Sequence, residues 1–220
     1  MKKKLFLSSL LLTFLAIFLC ATPAKAVYEL TSEVQKEYLA NKQLIQKYPK
    51  SAAYQFNYAV TLAYMGKLEE GATALNKVTD LDSKFVKKNL SSYVLAAKKA
   101  PQDYRVRFRL AFLYYFNNDF DKAYKELDVI SQNADESYLK AWALGYMAVI
   151  RGDKQKRWKE ALDLVNRALD YEPEAYGLHA ALAIAQKENG NTIGAVGSLM
   201  KALSLRGDFE KYEKKVFGEN

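Results

Sequence analysis

A small residue returns along this chain at a fixed step, and that step decides what the chain can fold into. Ala161, Val165, Ala168 and Tyr171 are spaced 4, 3 and 3 apart, which places them on one face of a helix. Thirty-four residues after Ala161 the same spacing returns as Ala195, Leu199, Ala202 and Leu205. Upstream it occurs as Ala123, Leu127 and Ile130, 38 residues before Ala161, with the four extra residues at Lys154 to Arg157. A weaker copy is Gly71, Leu75, Val78 and Leu81. Repeats of this length are too small to bury an apolar face alone, so they must stack on their neighbours.

Each of these helices follows another. The preceding runs are Tyr58 to Leu62, Leu110 to Tyr115, Trp142 to Tyr146 and Leu182 to Ala185. The turns between them read Met65-Gly66-Lys67, Asn117-Asn118-Asp119, Arg151-Gly152-Asp153 and Asn189-Gly190-Asn191. Gly or Asn suits the left-handed residue that ends a helix. Asp119, Asp153 and Asn191 are expected to start the next one. Ala59, Ala111, Gly145 and Ala183 supply a second small position, so two antiparallel backbones can approach closely. With only 10 Gly and 4 Pro, the chain does not read as a turn-rich β protein.

In this pattern the chain resembles the tetratricopeptide repeat family, a 34-residue helix–turn–helix unit. The family's small second-helix residue matches Gly71, Ala123, Ala161 and Ala195. The large residue after it matches Leu75, Leu127, Val165 and Leu199. The first-helix small residue is Ala59, Ala111, Gly145 and Ala183. The tyrosine position is kept as Tyr114, and the closing proline as Pro173. The leading tryptophan is out of register. The resemblance spans about 52–209. It implies an all-α, right-handed α-solenoid of four units starting near Ala52, Tyr104, Tyr138 and Tyr176.

The first gap between units is 18 residues too long, enough for one helix and a turn. Lys84 to Lys99 is therefore expected to be an extra helix, ended by Pro101. Glu29 to Tyr48 reads as a leading helix, and Asp208 to Phe217 as the polar cap that solenoids need. The expected organisation is a leader over 1–26, a leading helix within 27–51 and unit one over 52–83. An extra helix at 84–101, units two to four over 102–209 and a cap at 210–220 complete it.

The leader rests on Met1-Lys2-Lys3-Lys4, an apolar run from Leu5 to Leu19, and Ala24 and Ala26 ahead of Val27. This is the pattern of a cleaved export signal, and it implies a periplasmic or secreted chain. Its removal takes four lysines and no acid, so the formal charge falls from +8 to +4 and the case for nucleic acid weakens. It also takes Cys20, the only cysteine, so no disulfide is expected. The rival is a chain tethered at a lipidated Cys20 or through an uncleaved segment, as a subunit of an envelope assembly or secretion complex.

In the resembled family the first helices of each pair line a concave groove that holds a peptide or helix. Those positions here include Phe56 and Tyr64 in unit one. Unit two supplies Arg105, Phe108, Arg109, Phe112 and Tyr115, and unit three Trp142 and Tyr146. An aromatic, basic surface of this kind suits an apolar protein segment carrying an acid. If the groove is open, Trp142 should be partly exposed. The alternative is that the leading or extra helix fills the groove and these aromatics are core. The carboxylate-clamp subtype needs Lys and Asn where Phe56 and Val60 stand, so it is not expected.

Catalysis and cofactors are not expected. His179 is the sole histidine and replaces a packing aromatic. Asn117, Asp119 and Asp121 alternate like a calcium loop, but Lys122 stands where a glycine is needed. The partner implied is a protein or peptide, with no nucleic acid and no metal.

Overall fold

A computed structural model describes residues 28–218. The expected leader, its cleavage point and Cys20 lie outside the described residues. Within them the chain forms ten α-helices. They are α1 (Ser32–Lys47), α2 (Ala52–Tyr64), α3 (Leu68–Leu81), α4 (Phe85–Lys99) and α5 (Tyr104–Phe116). There follow α6 (Phe120–Asn133), α7 (Ser137–Val149), α8 (Trp158–Tyr171), α9 (Tyr176–Glu188) and α10 (Thr192–Phe217). α2 with α3, α5 with α6, α7 with α8 and α9 with α10 form four antiparallel hairpins, of which the last three stack in order through α6 on α7 and α8 on α9. This is an all-α solenoid of helix–turn–helix units with α4 as the extra helix.

The caps follow local chemistry. Thr31, Ser51, Asp103 and Asn191 accept a hydrogen bond from the backbone N–H three residues on, which satisfies one orphan donor of each helix start. Gly66 (φ +83°), Asn118 (φ +61°) and Gly190 (φ +83°) take the left-handed turn position. Unit three departs from this. α7 runs on into a π-helical turn, Ile150–Lys154, and α8 starts only at Trp158. Asp153 therefore does not start the helix, and Lys156 takes the positive φ (57°) in place of Gly152. The four-residue insertion is absorbed in that widened turn.

The small positions act as the repeat requires. Ala59, Ala111, Ala123, Ala161 and Ala168 are buried. A Cβ on Gly145 would lie 2.8 Å from Leu178 Cδ2 of the next hairpin. Gly145→Leu is expected to overpack α7 against α9 and cost about 1–3 kcal/mol. A urea unfolding midpoint equal to that of the unaltered protein would contradict this register.

The expected cap is not a helix of its own. It is the last part of α10, which continues past the fourth unit without a break. It does not cover the outer face of unit four but reaches across to the leading segment and unit one. Arg206 holds Glu69 of α3 by two bonds of 3.1 Å. Lys67 Nζ lies 3.0 Å from Glu213. The Tyr212 hydroxyl accepts from the Leu30 N–H at 3.1 Å, and Phe217 packs on Tyr38. Unit one and the leading segment thus sit inside the curve of units two to four. The extra helix α4 makes this possible, because it lets α2 turn inward to touch α5 and α7.

Candidate functional site

The fold-back decides the fate of the expected groove. Trp142, expected to be partly exposed if the groove were open, is 2% exposed. Its indole Nε1–H donates to the Tyr28 hydroxyl at 3.0 Å. A Cβ on Gly66 or on Gly177 would lie within 3 Å of its ring, so the indole is seated between unit one and unit four. Phe56, Tyr64 and Phe108 are buried as well, with Tyr64 edge-on to Phe108 and Phe56 against Phe85 of the extra helix. These four aromatics are core, because the leading segment and α2 occupy the space a peptide would need.

The two arginines are also taken. Glu37 of α1 accepts from Arg109 and lies 3.3 Å from Arg105 Nε. Glu37 further accepts from the Thr61 hydroxyl at 3.1 Å, and Thr61 accepts from Asn41 at 2.9 Å. Burial works against the Arg109 cation, but Tyr64 and Glu37 beside it hold its pKa above the ordinary value. Burial pushes Tyr138 up to about 12, although the neighbouring Arg105 acts the other way. Burial also raises Tyr64 and Tyr146 above the usual phenol range. The expected basic rim is a neutralised internal network.

Of the nine expected groove residues, Arg105 lines a polar hollow with Asp135 and Glu136, and three others share one apolar cleft. Phe112, Tyr115 and Tyr146 line an apolar cleft of about 270 Å³ between unit one and the inner face of units two and three. Its other wall is α3, through Leu68, Ala72 and Leu75. Phe116 and Val149, 43% and 38% exposed, stand at its mouth. Tyr146 is fixed there because its hydroxyl donates to the Ala63 carbonyl at 3.2 Å. Lys154 lies 5.5 Å from the Tyr115 ring and pairs with Asp153. The cleft continues past Leu75 and Phe116 into a second hollow where Lys87 is exposed. The α3 wall was not legible in the repeat register, which puts α3 on the outer layer. The only sequence signal for it is the 18-residue excess that frees unit one to turn inward.

The remaining candidates have structural roles. His179 Nε2 lies 2.8 Å from the Pro173 carbonyl and ties down the turn before α9. Asn117 donates to Asp119 at 2.9 Å within the α5–α6 turn. Among the described residues no cluster of His, Cys, Asp or Glu could hold a metal ion. No helix among them is long and apolar enough to cross a membrane.

No family model matches the chain, and no curated protein matches it. Solved structures do. A crystal structure of MamA aligns over 80% of this chain and 90% of its own, at 16% identity and a TM-score of 0.44. MamA from Desulfovibrio magneticus RS-1 aligns over 80% and 86%, at 14% identity and a TM-score of 0.42. YrrB, described as a tetratricopeptide repeat protein with an unusual peptide-binding site, aligns over 77% and 93%, at 13% and 0.29. At such identities and TM-scores the solenoid assignment rests on the helical hairpins themselves and on the repeat residues that they bury.

Proposed function

We propose that this chain is an exported, non-enzymatic scaffold that binds a partner protein, and that the apolar cleft between α3 and the inner face of units two and three is its docking site. The observation that carries this reading is the cleft itself. It is a concave, almost wholly apolar surface on a chain whose charges are otherwise paired or solvated. Exposed Phe116 and Val149 at its mouth are out of place unless covered. The occupant is a short segment that inserts an aliphatic or aromatic side chain between Leu75 and Tyr146. Exposed Lys87 near one end favours an acid in the flank of that segment.

Export rests on the leader pattern, and it predicts a mature protein beginning at Val27. The mass of the purified protein checks this. A lipid on Cys20 would support the tethered form instead.

Docking is tested in the cell with a photo-reactive phenylalanine analogue in place of Ala72 inside the cleft. The same analogue in place of Asp163, on the solvent side of α8, is the control. The expected result is one adduct protein at position 72 and none at 163. A peptide copying the cross-linked segment should bind with micromolar affinity, about −8 kcal/mol. Phe116→Ala should weaken it by more than about 1 kcal/mol. Equal adducts at both positions, or none at 72, would remove the cleft from the reading.

A further inference from the structure

The outer face of unit four is bare. Ile193 is 89% exposed, Val196 54%, Met200 67% and Leu203 62%. Their spacing of 3, 4 and 3 draws one apolar stripe along α10, opposite the face that buries Ala195, Ala202, Leu205 and Phe209. Leu199, beside the stripe, is 49% exposed. Its counterparts Leu127 and Val165 are buried, whereas no later hairpin among the described residues packs on Leu199.

Half of the stripe follows the repeat, since Val196 and Leu203 match Leu162 and Leu169 of unit three, but Ile193 and Met200 depart from it. The positions of Ile193 and Met200 are held by Asp121 and Asp128 in unit two, and by Lys159 and Asn166 in unit three. Gly197 stands where those units have Lys125 and Asp163. In unit three, all three positions face solvent. At these three positions unit four is apolar or bare where unit three is polar and wet. The glycines point the same way. A Cβ on Gly197 or Gly207 would meet nothing within 4 Å, so nothing inside the molecule requires glycine at either place. A glycine inside a helix costs about 1 kcal/mol relative to alanine. Close approach by something outside the molecule explains both.

We propose that this face is the contact between two copies of the chain, with their α10 helices packed antiparallel about a two-fold axis at the level of residue 198. The stripe is its own complement in that arrangement. Ile193 falls opposite Leu203 of the second copy, and Val196 opposite Met200, the pairing of an antiparallel coiled-coil seam. Gly197 lies beside its own copy on one flank, which lets the backbones close, and Leu199 beside its own copy on the other. Gly207 meets the α9–α10 turn of the second copy, where a side chain would intrude. Charge does not oppose the pairing. Between Thr192 and Leu205 the only charged residue is Lys201, and Glu174 of its own chain pairs with it at 3.1 Å. The exposed apolar side chains amount to roughly 600 Å² per copy, at the top of the range for a monomer's largest patch. Two copies would bury on the order of 1,200 Å², enough for a specific two-fold contact.

Sedimentation velocity of the purified protein across the micromolar range tests this. A dimer is expected. Met200→Glu and Gly197→Lys should each raise its dissociation constant by roughly 30-fold or more. Helix content should stay unchanged, because units two and three fold with polar or charged residues at these positions. In a Cys20→Ser background, Gly197→Cys should form a disulfide-linked dimer under mild oxidation, which reports the antiparallel geometry. A monomer at every concentration overturns the proposal. So does a dimer indifferent to both charged variants. Binding of a monomer to phosphatidylcholine–phosphatidylglycerol vesicles, lost on Met200→Glu, would assign the stripe to a lipid surface and also overturn it.

Discussion

Trp142→Ala is expected to destabilise the protein by about 3–5 kcal/mol, the range for deleting a fully buried large aromatic. The indole touches three parts of the chain that are far apart in sequence. It bonds to Tyr28 of the leading segment, fills the space left by Gly66 in unit one and lies against Gly177 in unit four. Its loss opens a cavity at the centre of the curve and leaves the Tyr28 hydroxyl buried without its donor. A drop of that size corresponds to roughly 10 °C in melting temperature for a chain of this length. Thermal and urea unfolding check it. A loss below about 1 kcal/mol would mean that the curve is open in solution and that Trp142 faces water there.

Glu37→Ala should cost a similar amount, about 3–5 kcal/mol, by a different route. The deletion leaves Arg109 buried with no carboxylate, and breaking a buried pair from one side is far worse than removing both partners. Arg109 is 14% exposed at the side chain and Glu37 18%, so solvent screens this contact little. Replacing Glu37, Arg105 and Arg109 together by methionine should recover most of the loss, because apolar residues of like volume fill the same space. The unfolding midpoints of the single and triple variants decide this. A triple variant no better than Glu37→Ala would show that the network acts through geometry rather than through charge balance.

The repeat was legible because its signals are local. A small residue at a 34-residue step, a glycine or asparagine at the turn and a capping side chain need no knowledge of distant contacts. Gly66, Asn118 and Gly190 therefore stand where the spacing puts them. The extra helix was legible for the same reason, since 18 surplus residues must go somewhere. The open groove did not follow, because register says which residues face inward but not what else arrives there. Glu37 is on α1 and its arginines are on α5, 68 and 72 residues later. Nothing in the spacing of either helix announces that pairing. Leu199 shows the converse error. Its counterparts Leu127 and Val165 are buried, yet it is 49% exposed, since no later hairpin among the described residues packs on it.

The bond between Leu30 and Tyr212 joins residues 182 apart in sequence. In an ordinary stack of hairpins every contact is short-range, so folding can begin in any unit and spread outward. Here segments near both ends of the described residues meet, and the entropy of closing so long a loop falls on the final step. Folding should accordingly have two tempos, a fast one for the hairpins and a slow one for sealing the ring. During synthesis, the stretch around Tyr212 emerges long after the leading segment that it locks in place. Until it arrives, the aromatic interior of the curve stays open to water and to any chaperone that recognises unfinished chains.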